Sequence, residues 1–266
     1  MIPAKKPRVC AVSFLNTVPL VSGMTRGPQQ ELFDVSFAVP SECADRVAEG
    51  SADIGIVPAV EVPALGLEIA RGTGIACRGP VRSILLISKV PVSQIRTLAA
   101  DTSSRTSVQL ARVILQRKYG VVPHFIPRPP DVPAMLNIAD AALVIGDTAL
   151  RVEPSELPFE VLDLGAEWFE LTGLPMVFAV WAGRPSVITS AVVQGFIDSY
   201  HHGLGRLEEI VREESVRRGM PETLVREYFT RHIIFELGER EYEGMRLFLQ
   251  YVAEAQNLTD AGKLAV

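Results

Sequence analysis

Cysteine is scarce in this chain. Cys10, Cys43 and Cys77 are widely spaced and form no Cys-x-x-Cys, so neither a disulfide framework nor a thiolate metal site is expected. Each has apolar neighbours and reads as a small buried hydrophobe. Histidine is equally sparse. His124, His201, His202 and His232 show no ligand spacing with acidic partners, which argues against zinc. No block of like charge occurs, and the net charge is -5, so nucleic acid is not an expected partner. No apolar run approaches the ~20 residues of a membrane span. Behind Lys5-Lys6 there is no apolar core of ~7–15 residues, so no signal peptide is expected and the chain reads as cytoplasmic. Gly72-Thr-Gly74 and Gly79 fit neither the dinucleotide nor the Walker pattern and read as turn glycines. No cofactor is therefore expected.

What remains is an ordinary globular composition. The 266 residues are 48% hydrophobic and 21% charged, enough for one large domain or two lobes of ~100–150 residues. The pattern is that of an α/β protein. Arg8–Val12 reads as a buried strand that runs into Ser13-Phe-Leu-Asn-Thr-Val-Pro-Leu20. Residues just past a strand's carboxyl end line the ligand crevice of open α/β sheets. Asn16 is thus a site candidate, with a turn asparagine bonding its own backbone as the alternative. A strand over Phe33–Val39 follows, then a helix opened by Pro40-Ser41, with Ser41 as N-cap, and closed by Gly50. Asp53–Val57 is the next strand, and the βαβ rhythm implies parallel pairing.

The second part repeats this architecture. Ser83–Ser88 is an apolar strand. Strands near Thr97–Asp101, His124–Pro127 and Ala141–Ile145 alternate with helices near Val108–Tyr119 and Val132–Ile138. Asp140-Ala-Ala-Leu-Val-Ile-Gly-Asp147 echoes Ala52-Asp-Ile-Gly-Ile-Val-Pro58, which argues for two similar lobes. Leu174–Ala182 is a further apolar strand suited to run back between them. From Pro185 onward the chain reads as helices with solvated, mixed-charge faces.

Leu98–Gly120 is the stretch around which the rest is organised. Thr102, Ser103, Ser104, Thr106 and Ser107, with Arg105 among them, stand at the start of a helix. One hydroxyl suffices to cap it. The surplus can donate outward beside helix-start N–H groups, an arrangement suited to a carboxylate. The alternative is an over-capped helix with a solvated turn.

Six segments in register carry a resemblance. They are Ser13–Leu20, Asp53–Pro58, Val81–Leu86, Ser103–Ser107, Leu143–Asp147 and Thr172–Ala179. In this order they resemble the chorismate dehydratases of the futalosine route to menaquinone. Their fold is similar to that of type II periplasmic binding proteins, with two α/β lobes, two crossover strands and a central cleft. On that pattern Ser83–Ser88 and Met176–Trp181 become the crossovers, residues 1–88 and 183–266 form one lobe, and residues 89–182 form the other. The resemblance implies loss of water from chorismate to give 3-[(1-carboxyvinyl)oxy]benzoate. It implies catalytic roles for Asn16 and Ser83. It also implies substrate-binding roles for Ser103, Ser104, Arg105, Thr106, Ser107, Gly146 and Asp147. Met176 stands where many relatives are expected to have phenylalanine, a volume-tolerant change.

Three other readings are compatible with such a fold. A sister enzyme of the same pathway makes 1,4-dihydroxy-6-naphthoate, but the Asn16 segment and the Ser103–Ser107 cluster favour the dehydratase. A non-catalytic carboxylate-binding protein would be expected to carry an export signal. A transcription regulator would need a helix-turn-helix, for which no residues are spare. Chorismate is then the expected partner, with neither nucleic acid nor membrane, and an oligomer is compatible with the sequence.

Overall fold

The computed structural model describes residues 6–263, with side chains through Ala255. Most of the start from which the lack of a signal peptide is read therefore lies outside the described residues. The chain divides into two compact units, residues 1–76 with 178–238 and residues 77–177 with 239–266.

The first unit opens with β1 (Arg8–Val12), a 3-10 turn at Leu15–Thr17, and α1 (Val18–Arg26). Then come β2 (Asp34–Ala38), α2 (Pro40–Glu49), β3 (Ile54–Pro58), α3 (Glu61–Ala64) and β4 (Glu68–Cys77). Pro40 occupies the first turn of α2, so the cap position falls on Val39 and no side chain caps it; the expected Ser41 cap is not formed. Gly50 closes that helix in the left-handed conformation, as its lack of a Cβ allows. Gly72 and Gly74 lie inside β4 rather than in a turn. A Cβ on Gly74 would stand 2.8 Å from the Ala179 carbonyl, so close backbone approach explains glycine there.

The second unit holds β5 (Ile84–Ser88), β6 (Thr97–Asp101), α4 (Arg105–Tyr119), β7 (His124–Arg128) and α5 (Val132–Ile138). It continues with β8 (Ala141–Ile145), α6 (Gly146–Leu150), β9 (Glu160–Asp163) and α7 (Leu164–Thr172). β10 (Met176–Gly183) leads back to the first unit, which adds α8 (Ser190–Leu204), α9 (Leu207–Arg218), α10 (Glu222–Glu227) and β11 (Ile234–Glu236). The final helix, α11 (Glu239–Lys263), belongs to the second unit.

The first sheet has the order β11-β4-β10-β3-β1-β2 and the second β7-β6-β8-β5-β9. β1 lies parallel between β2 and β3, and β6 lies parallel between β7 and β8. The expected lobe boundaries need correction. Ser83–Ser88 is not a crossover: β5 runs antiparallel between β8 and β9, wholly inside the second sheet. The chain changes unit at β4, at β10 and again before α11, so 239–266 leaves the lobe to which it was expected to belong. An apolar run reads alike in either role, since burial on both faces erases the pattern that would tell them apart.

Each unit has its own aromatic centre. Trp181 stacks on Phe196 at 4.4 Å, and Phe196 on Phe33 at 5.0 Å. In the second unit Trp168 meets Phe248 edge-on at 5.8 Å and donates its indole N–H to the Pro175 carbonyl. All three cysteines are buried and free, with Cys10 and Cys43 sulfurs 3.3 Å apart. Among the described residues no helix is long and apolar enough to cross a membrane, and no group of three or more His, Cys, Asp or Glu could hold a metal.

Candidate functional site

One end of the second sheet gathers the expected residues of that unit. β6 and β8 are parallel neighbours, so Asp101 and Ile145 finish side by side, and antiparallel β5 sets Ile84 opposite Ile145. The stretches after β6, after β8 and before β5 therefore meet at this end. Ser83 is buried there, and its carbonyl accepts the Gly146 N–H at 2.8 Å. Gly146 has φ 59°, a left-handed conformation that glycine takes without penalty, and it turns the chain from β8 into α6. Asp147 is half-buried in the first turn of α6, and its carbonyl accepts from the Arg151 guanidinium.

The hydroxyl cluster divides its work. Ser104 is the N-cap of α4: its Oγ accepts the Ser107 N–H at 3.2 Å and donates to the Ser107 Oγ at 2.8 Å. Ser103 turns away from the helix and bonds Asp101 through both its N–H and its hydroxyl, at 2.9 and 2.6 Å. Thr106 and Ser107 are buried, and Arg105 is half-buried at the first helical position. The surplus of hydroxyls is thus smaller than the sequence suggests.

The structure adds Asp101 and Asp163 to the expected residues. Asp101 is buried, and burial raises its carboxyl above the ordinary range; bonds from Ser103 and the Ile145 N–H oppose the rise. It joins the loop after β6 to the end of β8. Asp163 accepts the Val81 and Arg82 N–H groups, at 2.9 and 2.6 Å, just before Ser83. A signal for Asp101 existed, since it ends a strand directly ahead of the hydroxyl cluster. For Asp163 the sequence offers only a cap for the helix that follows, not the bonds to Val81 and Arg82, some 80 residues away.

Asn16 belongs to the first unit. It is half-buried in the 3-10 turn after β1, with the Thr17 hydroxyl 3.4 Å from its Oδ1. The loop is tied down at its other end. Ser13 donates its N–H to the Ala38 carbonyl, while its own carbonyl accepts from Arg218 at 3.1 Å. Arg218 is held by buried Glu214, at 2.8 Å. A cavity of about 510 Å³ adjoins this loop, lined by Ser13, Phe14, Val18, Phe37 and Arg218 among others.

Residues 7–254 match the profile of a family described as menaquinone biosynthesis. A chorismate dehydratase of Thermus thermophilus is 30% identical, over 83% of this chain and 87% of its own. Among solved structures, a protein of Archaeoglobus fulgidus superposes with a TM-score of 0.74 at 16% identity, covering 95% of this chain and 98% of that one. The alkanesulfonate-binding protein SsuA of Xanthomonas axonopodis, bound to MOPS, gives 0.70 at 13% identity and 95% of each chain. A Candida albicans protein described as having the generic periplasmic binding protein fold gives 0.59 at 11% identity, with 96% and 95% covered. At these identities the structures speak for the two-lobed periplasmic-binding-protein fold alone.

Proposed function

The chain belongs to the menaquinone-biosynthesis family, and from that premise we propose that it is a chorismate dehydratase, a carbon–oxygen hydro-lyase. The observation that carries this reading is the convergence of Ser83, the Ser103–Ser107 segment and Gly146-Asp147 at one end of one sheet. A net-acidic chain must hold a dicarboxylate through local donors rather than overall charge. A helix start with buried hydroxyls and Arg105 supplies such donors.

In the reaction the ring hydroxyl and a ring hydrogen of chorismate leave as water, and the ring becomes aromatic as 3-[(1-carboxyvinyl)oxy]benzoate. Electrons of the breaking C–H bond enter the ring, and the C–O bond takes its pair to the departing hydroxyl. Asn16 and Ser83 are neutral, so neither is a strong base. The proton passes instead to the substrate's own enolpyruvyl carboxylate, and then to the leaving hydroxyl. Asn16 and Ser83 orient the ring and donate to the leaving oxygen. Ser104, Arg105, Thr106 and Ser107 hold the carboxylates, joined by the backbone N–H of Asp147; Ser103, bonded to Asp101, and Gly146, bonded to Ser83, shape the two loops that do so. The elimination is redox-neutral, and the reading invokes no cofactor. A cytoplasmic location goes with it.

The test is incubation of the purified protein with chorismate and identification of the product by mass spectrometry and NMR. Formation of 3-[(1-carboxyvinyl)oxy]benzoate supports the assignment. Tight binding of chorismate without turnover refutes it in favour of a carboxylate-binding protein.

A further inference from the structure

Arg82 is the one non-glycine residue with a left-handed backbone among the described residues, at φ 66°. There an L-residue crowds its own carbonyl, so the conformation persists only where its surroundings hold it. It stands directly before Ser83. What holds it is one carboxylate. Asp163 Oδ2 accepts the Arg82 N–H at 2.6 Å, and Oδ1 accepts the Val81 N–H at 2.9 Å. The same Oδ1 accepts the Gly165 and Ala166 N–H groups, capping α7. The packing around the clamp is close: a Cβ on Gly165 would lie 2.6 Å from the Gly79 carbonyl and 2.7 Å from the Cys77 sulfur. The Arg82 guanidinium is directed away from this clamp, 3.5 Å from the Ala149 carbonyl and 3.6 Å from Glu153. On the far side the Ser83 carbonyl is fixed by the Gly146 N–H.

We propose that Asp163 is a positioning residue for Ser83: its carboxylate clamps the left-handed turn at Arg82 and so sets the direction of the Ser83 hydroxyl. The proposal rests on the reading of Ser83 as a catalytic group. Capping α7 requires only an acceptor close to the backbone, which serine provides. The longer carboxylate is needed to reach two amides on a separate segment as well.

The experiment is a double-substitution cycle on the full chain. Asp163→Ser keeps the α7 cap but is too short for the Val81 and Arg82 amides; Asp163→Asn keeps Oδ1 but turns a donor toward Arg82. Either variant should lower kcat for chorismate by about 10- to 100-fold, the loss expected from a reacting group misplaced by ~1 Å, with KM within about twofold. In a Ser83→Ala background the same substitutions should change the residual single-turnover rate by less than about threefold, because the group they position is gone. Melting temperatures report the folded fraction. Wild-type turnover in Asp163→Ser, or an undiminished loss in the Ser83→Ala background, overturns the clamp while the dehydratase reading stands. Wild-type protein that leaves chorismate unchanged overturns both.

Discussion

Ser104 offers a clean separation of helix capping from ligand binding. Its Oγ accepts the Ser107 N–H and bonds the Ser107 hydroxyl, and both serines are buried. Ser104→Ala removes the cap, worth ~0.5–2 kcal/mol, whereas glycine at an N-cap costs only a few tenths. The backbone at this position, φ -131° and ψ 111°, suits either replacement. For a chain of this size ~1 kcal/mol corresponds to about 2–4 °C in Tm. Ser104→Ala should therefore melt about 1–8 °C below wild type, and Ser104→Gly within about 2 °C of it. If the hydroxyl also meets a chorismate carboxylate, both variants lose that contact equally. The loss is ~1–3 kcal/mol, about 5- to 150-fold in Kd. Calorimetric titration with chorismate beside thermal melts makes the comparison. Affinity that follows stability, weakened in the alanine variant and intact in the glycine variant, refutes substrate binding and leaves Ser104 a cap.

Ser83→Ala and Asn16→Ala should slow single turnover by ~2.7–4 kcal/mol in the barrier while melting normally; normal rates with lowered Tm would reduce both to structural roles. Asp53 carries a carboxyl held down to about 2, first by the Arg8 side chain, then by the Arg8 N–H and the charges of Arg8 and Arg184. A depressed carboxyl stabilises the fold above its unfolded value near 3.9 and loses that effect as pH falls toward 2. Asp53→Asn should thus cost about 1–2 kcal/mol at pH 7 after solvent screening, and urea melts should show the gap to wild type closing between pH 4 and 2. A gap independent of pH would rule out the ion pair as its source. Gly203→Ala would put a Cβ 2.1 Å from the Pro19 carbonyl, where α8 packs on α1, and should destabilise by ~2–3 kcal/mol; an unchanged melt would refute that contact.

What the sequence discloses depends on whether the cause is local. α5 begins after Asp131, which caps it, and α9 ends at left-handed Gly219; both are readable from adjacent residues. The strand β4 escapes the same reading because Gly72 and Gly74 mimic a turn, while glycine is required at Gly72 by its positive φ of 115° beside Ile197 and at Gly74 by the neighbouring strand and Leu237. β9 and α7 are short, and the Asp163 cap that starts α7 also serves a segment far away in sequence. The hydroxyl cluster was visible as a cluster. Its division among Asp101, the α4 cap and the remaining donors was not, since it depends on where β8 ends beside β6.

The aspartate echo has a structural cause that bears on the site. Asp53, before β3, accepts the N–H of Arg8 at the start of β1; Asp140, before β8, accepts the N–H of Thr97 at the start of β6. At the other end Ser13, just past β1, donates its N–H to Ala38, the last residue of β2. Thr102, just past β6, donates likewise to Arg128, the last residue of β7. Leaving out the edge strand β11, the strand orders β2-β1-β3-β10-β4 and β7-β6-β8-β5-β9 correspond position by position, with β10 antiparallel to β3 as β5 is to β8. Ser13–Asn16 and Ser103–Ser107 are therefore topological equivalents, each the loop that follows the inner parallel strand of its own sheet. In parallel sheets ligands are met beyond the carboxyl ends of the strands. Within each unit, then, the loop that carries these proposed residues follows the same strand of its own sheet. What differs is the chemistry: an amide in the 3-10 turn after β1, and a helix start bearing hydroxyls and a guanidinium after β6. Equivalent positions therefore carry different donors, and the proposed carboxylate contacts fall on the loop of the second sheet, where a guanidinium and a helix start stand together.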